Sequence, residues 1–480
     1  MEKQSRLAFC VHGHFYQPRR EDPLSDEIPT EAGAAPFKNW NERINAQCYR
    51  PNAELNNFEG ISFDLGPTLS NWMAQFDPKT LQMIVEQDQA NVRRYGVGNA
   101  MAQGYHHTIL PLASTRDKLT QIVWGIEDFR SRFGHHPSGF WLPETAVDLE
   151  SLDLLAQHGI QFTILAPWQA KDKSLDKSKP YWVQCREGRK IVVFFYNQDL
   201  STRVSFDPGA TANADQFVHQ ILYPQFRQQN FSGEDDQFLI IASDGEAYGH
   251  HHPFRDKFLS YLLTKAIEGY PIKRSFPALW LQTHPPQEFI EIEEDTSWSC
   301  HHGVKRWSEG CDCTPHSEWK SPLRDAMNAI ASGVDEQYEK GLAAYQVDPW
   351  NLRNEYIQVV TGKLTEERFI QTNIPAADDM EVMEHVRLLL AAQNDRQRVF
   401  VSCGWFFDDF DRIEPRNNVK YAAQAVWLIR QATGVDLSPI ARKYLRKVKS
   451  WRSSLTGEEV FNRHLDTVHE AMKATASKAG

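Results

Sequence analysis

A chain of 480 residues exceeds what one ordinary core holds, and 41% hydrophobic with 24% charged residues marks it as globular rather than disordered. A net charge of −11 excludes the basic footprint of a nucleic-acid binder and suits a neutral substrate. No apolar run approaches the roughly eighteen residues of a membrane span, so no membrane partner is expected. Seven Cys without a regular framework fit a reducing cytoplasm better than a disulfide scaffold.

Residues 1–6 lead straight into a strand-like run, with no secretory leader expected. Short apolar runs then recur at 7–11, 61–65, 95–98, 139–142, 161–166, 191–196 and 238–242, with 278–281 as an eighth candidate. Helix-period segments lie between several of them. One opens at Asp77-Pro78 and runs to about Arg94, one is capped at Ser114 and reaches Phe133, one spans 149–158 before Gly159, and one spans 253–266. Strand, helix, strand in succession means parallel units. Seven of them predict a seven-stranded (β/α) barrel over residues 1–295, with a doubly wound open sheet as the structural alternative. An irregular segment at 296–322 is expected to border the site. Helical periods at 323–345, 349–361, 378–393 and 420–433 predict a mainly helical C-terminal domain over 323–480.

The polar residues fall at the carboxyl ends of these strands. His12 and His14 follow the first, His106 and His107 the third, Glu144 the fourth, Asn197 the sixth and Asp244 the seventh. Barrel enzymes build their sites on that face. The two acids stand beside aromatic residues, in Trp141-Leu-Pro-Glu144 and Asp244-Gly-Glu-Ala-Tyr248. Paired carboxyls of this kind are what glycosidic cleavage needs: one protonates the leaving oxygen while the other attacks the sugar or activates water. His12 and His14, two apart on a strand, point the same way and can face one site.

These motifs resemble glycoside hydrolase family 57, which holds α-amylase-like enzymes, glucanotransferases and branching enzymes. The family's opening H-x-H-Q-P is matched by His12-Gly-His14 with Gln17-Pro18 after two extra residues, and its H-P-I-L-P by His107-Thr-Ile-Leu-Pro111. Its W-L-x-E is matched by Trp141-Leu-Pro-Glu144, and its D-G-E-x-F-G by Asp244-Gly-Glu-Ala-Tyr-Gly249. The resemblance implies a seven-stranded barrel, a helical domain after it, and a retaining enzyme acting on α-glucan or maltooligosaccharide. Glu144 would be the nucleophile and Asp244 the acid/base, with Glu246 as a rival that more simply orients a neighbour. His12, His14, His107, Trp141, Trp298 and Trp405 are the candidate sugar-binding residues. Gly404 stands where relatives often place an Asp before a Trp, in 402–409, and 298–307 departs from the characterised forms, so the chain resembles a divergent subgroup.

Two further readings stand beside this one. A metal-dependent polysaccharide deacetylase would take His12, His14 and Asp244 as ligands. A non-catalytic carbohydrate-binding relative would need neither acid. No cofactor and no metal are expected. The Cys and His residues Cys300, His301, His302, Cys311, Cys313 and His316 fit no common zinc spacing.

Overall fold

The computed structural model describes residues 7–228 and 236–479; residues 1–6, read above as lacking a leader, lie outside them. The chain divides into two compact units. The first takes residues up to Gln17, Thr30–Tyr105 and Gly125–Trp298; the second takes Pro18–Pro29, His106–Trp124 and Ser299–Gly480.

The first unit is built on strands that are parallel except for one. They are β1 (Leu7–Phe15), β2 (Ser62–Leu65), β3 (Ala100–Gln103), β4 (Phe140–Trp141), β5 (Phe162–Leu165), β6 (Tyr181–Gln184), β7 (Lys190–Phe195), β8 (Gln237–Asp244) and β9 (Ile272–Arg274). One sheet runs β4-β3-β2-β1-β8, with β9 beside the start of β1. Its registers are parallel throughout, setting His14 opposite Asp64 on one side and Asp244 on the other. A second sheet runs β5-β7-β6, in which β6 is antiparallel. The two sheets are stitched by a parallel bridge between Gly139 and Phe162 and by the Asn197 amide, which donates to the Ile240 carbonyl at 2.7 Å.

Alternate residues of these strands meet in one core. Ala8 and Cys10, Phe162 and Ile164, Val192 and Phe194, and Phe238, Ile240 and Ala242 all belong to it, the period-2 pattern of a strand with one face turned to a shared interior. Helices form where the caps were read. Asp77 accepts from the Thr80 amide to start Pro78–Tyr95, which Gly96 ends at φ 78°. Asp148 accepts from the Ser151 amide to start Leu149–Gln157.

Two strand expectations are corrected. Residues 95–98 are the end of a helix and its turn, and the strand begins at Ala100. Residues 278–281 belong to the helix Pro277–Leu281. Pro277 sits at the first helical turn, where its missing N–H costs nothing, and Trp280 stacks on Phe238 with ring centroids 5.0 Å apart. The hairpin strand β6, built on Tyr181-Trp-Val183, is not among the runs named above.

The second unit is helical: Lys320–Leu342, Met380–Arg398, Ile413–Thr433 and Gly457–Ala479 are its long members. Among the described residues no helix is long and apolar enough to cross a membrane.

Candidate active site

The site of the first unit assembles at the carboxyl ends of β1, β2, β4 and β8. Parallel strands place these ends on one edge, so residues far apart in sequence become neighbours. His12 and His14, two apart on β1, both reach Asp64 at the end of β2. The His12 Nε2 lies 3.3 Å from Asp64 Oδ1 and its Nδ1 3.0 Å from Ser62 Oγ; the His14 Nδ1 lies 2.8 Å from Asp64 Oδ2. Both imidazoles stack on Trp141, with centroids 4.5 and 5.4 Å apart. Trp298 meets Trp141 edge-on at 5.1 Å and His14 at 6.2 Å.

Glu144 is fixed from two directions. The Trp298 indole donates to its Oε2 at 3.0 Å, and the Trp298 amide donates to its carbonyl at 3.1 Å. The backbone at Glu144 and Thr145 is left-handed, with φ 58° and 48°. For residues with a Cβ this costs about 1–3 kcal/mol each and persists only where the surroundings hold it. Gln169 does the holding: its Nε2 donates to the Thr145 carbonyl at 2.8 Å and its Oε1 accepts from the Thr145 hydroxyl at 2.9 Å. The half-exposed carboxyl of Glu144 is thereby turned out of the strand line.

Asp244 ends β8 exposed, while Glu246 two residues on is buried. The intervening Gly245 is required, because a Cβ there would lie 2.3 Å from the ring of Phe15. Tyr49 donates its hydroxyl to Glu246 Oε1 at 2.6 Å. Burial first, and then the charge of Asp244, push the Glu246 carboxyl up to about 7, with Tyr49 and His14 opposing. Burial opposes charge on His14, but Asp64, Asp244 and Glu246 outweigh it and raise its imidazole to about 9. His12 goes the other way: burial dominates and holds it below the usual histidine range. One imidazolium therefore faces three carboxyl groups at neutral pH, beside a neutral partner ring.

Of the residues singled out in the sequence, His12, His14, Trp141, Trp298 and Glu144 form this connected set, and Asp244 acts electrostatically on His14 within it. His107 is placed in the second unit, buried, with its Nδ1 2.6 Å from Ser402 Oγ. Trp405 is a correction. It was expected to be a sugar platform, but it is core of the helical unit, 0% exposed. Its indole N–H donates to the Lys320 carbonyl at 3.2 Å, and the Arg324 guanidinium covers the ring at 4.1 Å. Of the ligand set weighed for a deacetylase, His12 has both ring nitrogens turned to Ser62 and Asp64, and His14 has its Nδ1 on Asp64. Sequence reasoning missed Asp64, Tyr49 and Gln169. Asp64 carried a signal, an acid at the end of the apolar run 61–65; Tyr49 and Gln169 carried none.

A family profile described as glycosyl hydrolase family 57 matches residues 9–295, and one described as a domain of unknown function (DUF3536) matches 316–479. The α-amylase of Pyrococcus abyssi is 20% identical over 43% of this chain and 30% of that protein. The 4-α-glucanotransferase of Thermococcus litoralis is 23% identical over 42% of this chain and 29% of that protein. The chain thus spans under a third of the length of these curated relatives. The crystal structure of an exo-type maltose-forming amylase from Pyrococcus sp. ST04 superposes with a TM-score of 0.71 at 14% identity, covering 96% of this chain and 88% of that one, a likeness of fold. With more than half of its length matched by the profile, and with the strand-end acids in the profile's region, the chain belongs to glycosyl hydrolase family 57.

Proposed function

We propose that this protein cleaves or transfers α-glucan with retention, through a covalent glycosyl-enzyme on Glu144. The observation that carries the proposal is the seating of Glu144: a strained strand-end carboxylate, aimed by the Trp298 indole at 3.0 Å, beside an aromatic and imidazole wall. A nucleophile needs such fixed aim, because small misplacement costs large factors in rate. Glu144 attacks the anomeric carbon while Asp244, exposed at the end of β8, protonates the departing oxygen. Asp244 then takes a proton from the acceptor, which is water in hydrolysis or a second glucan in transfer.

The buried Glu246, held by Tyr49 and raised to about 7 by burial and by the charge of Asp244, is read as a neighbouring carboxyl of the site rather than as the donor itself. His14, held cationic, balances the anions of the site, and Trp141 with Trp298 offers ring edges and faces to the sugar. The unit is read as the seven-stranded barrel of β1, β2, β3, β4, β5, β7 and β8, a reading supported by the two links between its sheets. The chemistry is assigned to this unit, in a reducing, cytoplasmic setting.

The test is incubation of the protein with maltooligosaccharides and with amylose, followed by separation of the products. Shorter products alone mean hydrolysis, longer ones transfer, and branched ones branching. Absence of all three, from protein shown to be folded, would overturn the proposal.

A further inference from the structure

The second unit carries a cluster that the glycosidase chemistry does not use. Cys300, His302, Cys311 and Cys313 turn their donor atoms toward one point, all within 4.8 Å of one another. The Cys300 and Cys311 sulfurs are 3.6 Å apart, and the Cys313 sulfur is 3.4 Å from His302 Nδ1. A tetrahedral zinc ion with Zn–S bonds of about 2.3 Å separates its sulfurs by about 3.7–3.8 Å and its sulfur and nitrogen donors by slightly less. These two separations match the edges of that tetrahedron, and 3.6 Å is far too long for a disulfide, whose sulfurs sit about 2.05 Å apart.

The surroundings ask for an anion here. Lys320 is 0% exposed, and its ammonium has no hydrogen-bond partner. The charges it faces are Arg306, which repels it, and Cys311, Cys300 and Asp408, which attract it when ionised. Arg306 is also turned to the cluster: its Nη2 donates to the Cys313 carbonyl at 3.3 Å, while its buried Nε has no partner. A buried cation with no hydrogen-bonded partner, beside a repelling Arg306, is costly. Three thiolates and one neutral imidazole around a divalent ion leave one net negative charge, which adds to Asp408 in balancing these cations.

The segment has little regular structure. Between Trp298 and the helix Lys320–Leu342 its regular structure is one short turn, Lys305–Trp307. Loops of this kind in small folds are commonly closed by a metal or a disulfide.

We propose that Cys300, His302, Cys311 and Cys313 bind one zinc ion as a structural clamp. Four protein donors leave no open coordination position, so the ion has no catalytic role. The spacing C-x-H-x8-C-x-C departs from the common zinc patterns because each half supplies donors two apart rather than the usual pair separated by two or more residues. Of the other histidines in the segment, His316 stacks on Trp451 at 4.1 Å and is not a donor.

The test uses the full chain without a histidine tag, expressed with zinc in the medium, desalted and subjected to elemental analysis. About one zinc per chain is expected, falling at least about tenfold in C311S/C313S and in His302→Ala. The neighbouring variants His301→Ala and His316→Ala keep it. Should the double variant fail to fold, the wild-type chain is stripped with chelator and titrated with cobalt(II). Tetrahedral visible bands and a thiolate-to-cobalt charge-transfer band are then expected, saturating near one equivalent. Zinc-free wild-type protein that gives no thiolate–cobalt band overturns the proposal, as does zinc that survives all the ligand substitutions.

Discussion

The strand-end site of the first unit and the Cys/His loop of the second hold their functional groups in opposite ways. His14, Asp64 and Asp244 come from three different strands whose registers bring them together, and Glu144 comes from the turn that follows a fourth. Cys300, His302, Cys311 and Cys313 come from one short stretch, and no sheet or long helix positions them. In the first region the scaffold is rigid before any ligand arrives, so it can hold a strained Glu144 and a shared buried carboxylate. In the second, side chains anchor the segment. Arg324 Nε donates to the Trp307 carbonyl at 3.0 Å, and the same guanidinium covers Trp405. Preorganisation by backbone suits chemistry; convergence of donors from a loop suits a clamp.

The largest effect should come from Glu144→Ala, which removes the nucleophile from the first region while leaving its scaffold alone. Turnover should fall on the order of 10⁴-fold, with the circular dichroism unchanged and azide restoring part of the activity as a glycosyl azide of inverted configuration. Near-normal activity would break the assignment.

Asp244→Asn comes next. A proton donor contributes about 10²–10⁴-fold, and the loss should be greatest for substrates with poor leaving groups and small for activated aryl glycosides in the first step. Glu246→Gln should cost less and shift the pH–rate profile. If Glu246→Gln proves the more damaging on poor leaving groups, the acid role passes to Glu246.

Trp405→Ala sharpens the other side of the comparison. Loss of a buried Trp costs about 3–5 kcal/mol, so the melting temperature should drop markedly and activity should fall on short and long glucans alike. Loss confined to long glucans at unchanged stability would restore Trp405 to a sugar-binding role.

The smallest effect is in the pH dependence of stability. The folded pKa of His14, about 9, lies above its ordinary 6.5, so its contribution is fully present below pH 6.5 and is lost as pH rises through about 9. Glu246, raised from 4.5 to about 7, also makes stability fall with rising pH, over the window between those values. Melting curves of the wild type and His14→Gln across pH 5–10, a range taken from these windows, should converge toward the alkaline end. Curves that run parallel over the whole range would show that His14 is not held charged.

Much of this protein was readable along the chain. Strands announce themselves as short apolar runs, and an acid, an imidazole pair or a Trp-Leu-Pro-Glu motif just past such a run has to lie on the carboxyl edge of a parallel sheet. That is why Glu144, Asp244, His12 and His14 could be named without coordinates. Local pattern fails where the same residues serve two structures. Residues 278–281 are as apolar as a strand but follow Pro277 into a helix, and Trp405 is as aromatic as a platform but is sealed beneath Arg324.

What the sequence determined by itself was the order of parallel units, the two strand-end acids and the helical character of the second half, because periodicity and caps are properties of neighbouring residues. What tertiary structure alone decided was which groups share a charge and which share a point in space. Asp64 between two histidines, Tyr49 on Glu246 and Gln169 locking Thr145 all depend on distances across the fold, which no local spacing encodes; the Cys/His donors are close in sequence, and only the loop's conformation brings their atoms within reach of one another.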